Sequence, residues 1–261
     1  MSIVPNHALR RLRAGKLAVG LGVRNARTVD IAQMLKTCGF DWLFVDGEHS
    51  SMDLDTAAQI SSASLAIGIT PLVRVAGLEH WHMSRILDNG AQGVVVPHVE
   101  DEEQARRVAH ACRFPPDGHR SMGGGLQQVG FASLPVGETA RLVNEETLVV
   151  VMIESPRGVT NCDEIAAVPG IDALLVGTND LCFEMGIPGQ FNDPRVGEAY
   201  RKVVAACRKR GRFAGMGGMY TPELIERHVA MGVQLVLSGS DHSLLMQAGA
   251  ARAAVVRGFE K

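Results

Sequence analysis

The chain has 261 residues, of which 46% are hydrophobic and 21% are charged, and its formal net charge is −2. This composition is typical of a globular protein with a sizeable core, and the length suits one α/β barrel domain, which we expect to span residues 1–261. Because Lys and Arg form no block and aromatic residues are only 5%, we expect no nucleic-acid surface.

The N-terminal segment MSIVPNHALRRLRAG has basic residues but no apolar core after them, so it predicts a first helix rather than a secretory signal. No stretch approaches the roughly 18 apolar residues that a membrane span needs, and we expect no membrane contact. The five cysteines are scattered and form no CxxC motif. They predict reduced thiols in a cytoplasmic protein.

Short apolar runs alternate with segments of helical periodicity along the chain. The runs predict strands at 17–22, 42–46, 71–75, 93–97, 148–154, 173–177, 213–217 and 233–238. The segments between and after them predict helices at 28–38, 54–66, 81–89, 102–112, 162–168, 196–211, 222–231 and 241–257. Eight hydrophobic strands alternating with helices indicate a (β/α)8 barrel, a TIM barrel, with a parallel sheet. A doubly wound open sheet is the alternative, although the first strand is not followed by GxGxxG.

Two segments depart from this alternation. The long stretch 114–140, rich in Gly and Pro, lies between the fourth and fifth strands, and we expect it to be a loop on the catalytic face. The C-terminal helix 241–257 has two interpretations. It is either the eighth helix of the barrel or a helix exchanged between subunits.

Four short strings put polar residues at or just past strand ends: DGEH at 46–49, VRV at 73–75, IES at 153–155 and TND at 178–180. In a barrel, the carboxyl ends of all strands meet at one face, where active sites form. We therefore expect Asp46, His49, Arg74, Glu154 and Asp180 to converge.

Glu154 and Asp180 are the candidate ligands of a divalent metal. Mg²⁺, Mn²⁺ and Co²⁺ all accept carboxylate oxygens, and two protein ligands would leave positions for a bidentate 2-oxo acid. The metal would then act as a Lewis acid on the enolate. The alternatives are a salt bridge for Glu154 and a helix N-cap for Asp180.

His49 is a candidate for moving a proton, and Asp46 is placed to orient its imidazole. The alternative for His49 is a surface loop histidine. Arg74 lies on a predicted buried strand and must meet an anion, which is either a substrate oxygen or a structural partner such as Glu154 or Asp46.

A glycine-led turn at Gly177, Thr178 and Asn179 exposes backbone N–H groups that could bind a substrate carboxylate, or it is simply a tight loop. The five lysines lie at positions 16, 36, 202, 209 and 261, and none ends a predicted strand. A Schiff-base mechanism is therefore disfavoured.

The strings FDWLFVDGEHSSMD, PLVRV, ILDNGAQGVVVPHVED, FPPDGHRS, IESPRGV and LLVGTNDL occur in this order over nearly the whole chain. Together they resemble the HpcH/HpaI aldolases, which are metal-dependent (class II) pyruvate aldolases that act in the catabolism of aromatic or sugar acids. The resemblance implies a barrel with a swapped C-terminal helix in a homohexamer built as a trimer of dimers. It also implies Glu154 and Asp180 as metal ligands, His49 and Asp46 as a dyad, and Arg74 as a substrate-binding residue.

The chain departs from the family pattern at three positions. Met152 stands where Gln is usual, two residues before the metal glutamate, so one polar contact to the substrate is replaced. Gly22 stands where an aromatic residue is common, and Gln127 where an arginine can occur. We therefore expect the aldehyde end of the substrate site to be larger and less cationic.

The function indicated is cleavage or formation of the C–C bond of 4-hydroxy-2-oxo acids, with a 2-oxo acid and an aldehyde as the small-molecule partners. One alternative is a related lyase that acts on a coenzyme A thioester or decarboxylates oxaloacetate through the same enolate. The other is a non-catalytic, ligand-binding barrel.

Overall fold

A computed structural model describes residues 3–260 of the chain. Eight parallel strands pair in chain order, and the eighth pairs with the first to close a barrel. The strands are β1 Ala18–Val23, β2 Trp42–Asp46, β3 Thr70–Arg74, β4 Gly93–Val96, β5 Leu148–Ile153, β6 Ala173–Gly177, β7 Phe213–Gly217 and β8 Leu235–Ser240. The predicted TIM barrel is confirmed, and the open-sheet alternative is wrong.

Helices surround the barrel and connect its strands. They are α1 His7–Arg13, α2 Asp30–Thr37, α3 Leu54–Ile67, α4 His80–Asp88, α5 Glu102–Cys112, α6 Val136–Glu146, α7 Pro156–Thr160, α8 Cys162–Ala167, α9 Thr178–Glu184, α10 Pro194–Arg210, α11 Pro222–Met231 and α12 Asp241–Arg257. Local chemistry sets several of their ends. Asp53 caps α3 by accepting a hydrogen bond from the backbone N–H of Thr56, and Gly68 ends that helix in the left-handed conformation.

The strands are hydrophobic along their whole length because both of their faces are buried. One face packs against the helical layer, and the other fills the barrel interior. Leu9 and Leu12 of α1 join the interior cluster beneath Trp42 and Leu148. Helix α1 therefore seals the end of the barrel where the strands begin, and only the opposite end is open for a site.

The prediction that segment 114–140 forms a loop on the catalytic face is wrong. Helix α5 runs back along the barrel, so the chain after it starts at the face where the strands begin. There the buried guanidinium of Arg120 binds Asp88, at the end of α4, with 2.6 Å between Nη2 and Oδ1. The Gln128 side chain donates to the carbonyls of Leu87 and Ala91, before β4. The segment, including helix α6, covers the sealed end.

Helix α12 does not pack as an eighth barrel helix, and that interpretation is wrong. None of its residues is buried in this chain, and Leu245, Met246 and Val256 are each more than half exposed. A capping box at Ser240 and Ser243 nevertheless starts the helix firmly. Between residues 3 and 260, no helix combines the length and apolar character needed to cross a bilayer.

Candidate active site

A cavity of about 270 Å³ opens at the carboxyl ends of the strands; we call it the mouth cavity. Its apolar floor belongs to the barrel interior and comprises Phe44, Met152, Leu175 and Leu237. Its polar wall includes Arg24, Asp46, His49, Arg74, Asn179, Asp180, Tyr220, Ser240, His242 and Ser243. Glycines 22, 177, 217, 218 and 239 complete the lining.

Asp46 and Arg74 form a buried, two-pronged ion pair. They end adjacent strands and stand opposite each other in the parallel register of β2 and β3. Arg74 Nε lies 2.9 Å from Asp46 Oδ1, and Arg74 Nη2 lies 2.7 Å from Asp46 Oδ2. Arg74 Nη1 is 2.8 Å from Glu48 Oε2, and the guanidinium lies 5.0 Å from the centre of the Phe44 ring. Arg74 is thus fixed in one orientation before any substrate binds.

The Asp46 carboxylate also organises the loop that follows it. Its Oδ1 accepts hydrogen bonds from the backbone N–H groups of Glu48 and His49, both at 3.1 Å. Burial acts to raise the pKa of Asp46, but the bonds from Arg74 and from these backbone groups outweigh burial and hold the pKa below its ordinary value. Asp46 is therefore ionised, and it binds both Arg74 and the backbone of the following loop.

The predicted contact between Asp46 and the imidazole of His49 is not formed in the described chain. The carboxylate meets the His49 backbone instead, and the imidazole Nε2 lies 3.7 Å from Glu48 Oε2. The His49 side chain is 51% exposed. His49 lines the mouth cavity, as predicted, but its ring is oriented without help from Asp46.

Glu154 directly follows β5 and is 2% exposed. The backbone N–H of His98 donates to its Oε2 at 2.9 Å, and the His98 ring bridges toward Glu48. Burial is the largest influence on this carboxyl and raises its pKa to about 7, helped by the nearby carboxylates of Asp180 and Glu48 and opposed by His98. A buried carboxylate among other carboxylates is an environment that a cation would stabilise.

Gly177 makes room for Glu154. A Cβ atom at position 177 would stand only 2.5 Å from Glu154 Oε1 and 2.7 Å from its Cγ. Only glycine therefore allows β6 to pass this close to the Glu154 carboxylate. Gly177 also lines the mouth cavity, so Glu154 lies next to a residue of the cavity wall.

Asp180 lies in the first turn of α9 and lines the mouth cavity. The alternative that it caps the helix is wrong, because the N-cap residue is Gly177 and no side-chain cap bond forms. No hydrogen bond or ion pair to its carboxylate occurs within residues 3–260. Glu154 and Asp180 thus supply hard oxygen donors from neighbouring strand ends, and this donor set fits a divalent cation.

The predicted turn at Gly177, Thr178 and Asn179 is the start of helix α9, and its residues differ in what they can reach. Asn179 lines the mouth cavity, whereas Thr178 is fully buried. The Thr178 hydroxyl donates to the carbonyl of Gly217 at 2.7 Å and shares a 2.8 Å hydrogen bond with the Tyr200 hydroxyl. The Thr178 side chain therefore joins α9 to the barrel wall and is not available to a substrate.

Sequence patterns did not predict several residues of the mouth cavity. Arg24 follows β1, Tyr220 follows β7, and His242 lies in the first turn of α12. Their positions after strands were a usable signal, but no motif distinguished them. Gln127 lies at the sealed end beside Gly90 and does not line the mouth cavity, whereas Arg24 brings a guanidinium to it.

Comparison with known proteins agrees with this geometry. The sequence profile of the family described as HpcH/HpaI aldolase/citrate lyase matches residues 24–248. The 4-hydroxy-4-methyl-2-oxoglutarate aldolase of Chaetomium globosum is 37% identical over 98% of this chain and 97% of its own. The hydroxypyruvate/pyruvate aldolase of Delftia acidovorans is 37% identical over 84% of this chain and 81% of its own.

A solved structure has the same fold over almost the whole chain. The HpcH/HpaI aldolase from Desulfitobacterium hafniense superimposes with a TM-score of 0.91 and 29% sequence identity, covering 95% of this chain and 96% of its own. The matches in sequence and in structure run over the same strand ends that build the mouth cavity. The chain belongs to the HpcH/HpaI aldolase/citrate lyase family.

Proposed function

We propose that this protein is a carbon–carbon lyase, a divalent-metal-dependent aldolase that cleaves or forms 4-hydroxy-2-oxo acids. The observation that carries the proposal is that Arg74, His49 and Asp180 line one cavity in a chain of this family. Glu154 lies against Gly177, which is part of the cavity wall. Its relatives include enzymes named pyruvate aldolase and 4-hydroxy-2-oxo-heptane-1,7-dioate aldolase. The substrates are a 2-oxo acid, pyruvate, and an aldehyde or other carbonyl compound.

Glu154 and Asp180 are the residues that would hold the metal ion. Mg²⁺, Mn²⁺ or Co²⁺ would act there as a Lewis acid on the keto oxygen of the 2-oxo acid. The raised pKa of Glu154 supports this assignment, because burial and the neighbouring Asp180 carboxylate both resist a second negative charge. A bound cation would offset both effects and stabilise the ionised form of Glu154.

Arg74 would hold the developing enolate or carboxylate oxygen of the substrate. Arg74 is 7% exposed, and the bonds to Asp46 and the contact with Glu48 fix the plane of its guanidinium. A cation that needs no reorganisation stabilises new negative charge more effectively than a mobile one. Asp46 acts in this proposal as a positioning residue for Arg74.

His49 would accept the proton of the 4-hydroxyl group, directly or through a water. Loss of that proton allows the C3–C4 bond to break, which releases the carbonyl product and leaves the electron pair on the pyruvate enolate. Return of a proton to C3 then gives pyruvate, so atoms and charge balance. The exposed His49 ring is free to turn between the substrate and the solvent.

The start of α9 and the cavity floor would shape the pyruvate site. The backbone N–H groups at Gly177, Thr178 and Asn179 lie at a helix start, where they favour a carboxylate. Met152 lines the cavity with an apolar thioether. It would pack against the substrate carbon chain and would supply no hydrogen bond.

A pyruvate-coupled assay with a 4-hydroxy-2-oxo acid tests the proposal. We expect turnover with Mg²⁺, Mn²⁺ or Co²⁺ and none after complete removal of metal by EDTA. Glu154→Gln should lose metal binding, measured by calorimetry with Mn²⁺. His49→Ala should retain that binding and lose aldol turnover. Pyruvate release that persists without metal would rule out the metal mechanism, and full activity of His49→Ala would rule out its role as the base.

We also propose that the protein assembles with copies of itself through α12, as a homohexamer arranged as a trimer of dimers. The exposed apolar residues Leu245, Met246 and Val256 support an interface on this helix. The first turn of α12 lines the mouth cavity, so assembly would bear directly on the site. We further propose a cytoplasmic location, which the five free cysteines support.

A further inference from the structure

Arg24 projects into the mouth cavity from the loop after β1, and this loop is held rigidly. The carboxylate of Asp241 accepts hydrogen bonds from the backbone N–H groups of Arg24, Asn25 and Ala26, at N···O distances of 2.8–2.9 Å. Asp241 begins α12, so the first residues of that helix fix the loop. The backbone that carries Arg24 is therefore positioned without any substrate.

The guanidinium of Arg24 is less completely paired than that of Arg74. Arg74 makes two hydrogen bonds to Asp46 and meets Glu48 at 2.8 Å. Arg24 Nε lies 3.2 Å from Asp46 Oδ2, an oxygen that Arg74 also binds. Arg24 Nη2 donates to the carbonyl of His49. Among residues 3–260, no acceptor receives a hydrogen bond from its Nη1. Its side chain is 40% exposed and lines the cavity.

The position of Arg24 in the barrel separates it from the proposed metal site. In a closed barrel of eight strands, β1 and β5 lie on opposite sides of the mouth. Glu154 follows β5, and Arg24 follows β1. A 2-oxo acid held at Glu154 and Asp180 would therefore extend its far end toward Arg24, across a floor formed by Leu237 and Phe44.

We propose that Arg24 is a specificity-determining residue, which binds a second carboxylate on the carbonyl half of the substrate and so selects acceptors that carry one. This inference rests on the proposed function. A carboxylate is the ligand that a partly paired guanidinium binds best, because two parallel N–H groups match its two oxygens. The carbonyl product is then itself an acid, such as a 2-oxo acid.

The experiment compares two acceptors in the direction of synthesis. Glyoxylate and acetaldehyde are both small aldehydes, but only glyoxylate carries a carboxylate. The kcat/KM of each acceptor is measured with pyruvate and Mn²⁺. The ratio of the glyoxylate value to the acetaldehyde value is then compared between the wild type and Arg24→Gln. We expect the ratio to fall by about 10- to 100-fold, the value of a charge-assisted hydrogen bond, chiefly through the KM of glyoxylate.

Arg27→Gln is the matched control, because it removes the same charge from the same loop. Arg27 bonds the carbonyls of Arg24 and Ala26 and the hydroxyl of Ser51, and it does not line the mouth cavity. We expect its ratio to equal that of the wild type. An unchanged ratio in Arg24→Gln, or equal falls in both variants, overturns the inference and leaves the aldolase function standing. No wild-type turnover with either acceptor overturns the proposed function and the inference with it.

Discussion

Glu154 carries the strongest electrostatic conflict in the site. Its carboxyl is buried beside Asp180 and Glu48, and its folded-state pKa of about 7 exceeds the ordinary value of 4.5. Between those two pH values, the folded chain keeps a proton that the unfolded chain has lost. The free energy of unfolding of the metal-free protein therefore falls as the pH rises from about 4.5 to about 7.

Glu154→Gln should remove this loss of stability. Glutamine keeps an oxygen for the His98 backbone N–H and carries no charge. We expect the metal-free variant to melt about 5 °C above the wild type at pH 8 and close to it near pH 5, as followed by circular dichroism. The exposed Glu226→Gln is the control and should match the wild type at both pH values. A Glu154→Gln variant less stable than the wild type at pH 8 would contradict this account.

Gly177→Ala tests the close approach of β6 to Glu154 without changing any polar group. The added Cβ would stand 2.5 Å from Glu154 Oε1 and displace that carboxylate. We expect Mn²⁺ affinity, measured by calorimetry, to fall by about tenfold or more. Gly137→Ala on α6, where nothing lies within 4 Å, should leave the affinity unchanged. Equal affinities for the two variants would mean that Glu154 does not bind the metal in this position.

Segment 114–140 packs on the closed end of its own barrel, away from the mouth cavity. Arg120 is almost completely buried, lies 4.3 Å from the centre of the Phe114 ring and pairs with Asp88. Burial lowers the pKa of Arg120, and the bond to Asp88 opposes that shift. This arrangement joins the segment to the end of α4, on the face away from the site.

Arg120→Met should therefore destabilise the fold and spare the reaction. The variant loses the bond to Asp88, but the Asp88 side chain is 35% exposed and water can solvate it, so we expect a loss of about 1–2 kcal/mol and a fall in Tm of roughly 2–8 °C. We expect kcat/KM for pyruvate release at 25 °C to stay within about twofold of the wild type. A large loss of kcat/KM without a fall in Tm would show that the segment reaches a catalytic site.

Leu245, Met246 and Val256 of α12 are each more than half exposed, and such exposed apolar surface is typical of an interaction site. Leu245→Glu should dissociate the assembly, measured as molar mass by light scattering, whereas Gln247→Glu on the same helix should not. A wild-type protein that is already monomeric, or a Leu245→Glu variant of unchanged mass, would refute this interface.

At the scale of the whole molecule, the barrel has one closed end and one open end. Helix α1 and segment 114–140 cover the closed end, and the strand ends with their following loops build the open one. The loop after β1 is fixed by Asp241 of α12, and the first turn of α12 lines the mouth cavity. The shape of the mouth cavity and the position of α12 are therefore physically linked.

The sequence was sufficient to predict the architecture and the gathering of polar residues at one end of the barrel. Eight apolar runs with intervening helical periods predicted the strands to within two residues at every end, because strands buried on both faces leave a continuous hydrophobic signal. The convergence of Asp46, Arg74, Glu154 and Asp180 could be predicted because a parallel barrel brings all strand ends to one face.

Tertiary structure decided which atoms meet. No sequence pattern shows that Asp46 binds Arg74 and not the His49 ring, since this depends on the register of β2 with β3. Nor does any pattern show that Gly177 borders Glu154, or that Arg24 enters the cavity, because both contacts join residues more than twenty positions apart. Hydrophobic periodicity depends on residues that are close in sequence, so it can be detected without a structure. Ion pairing and steric fit depend on distances that exist only after the barrel closes.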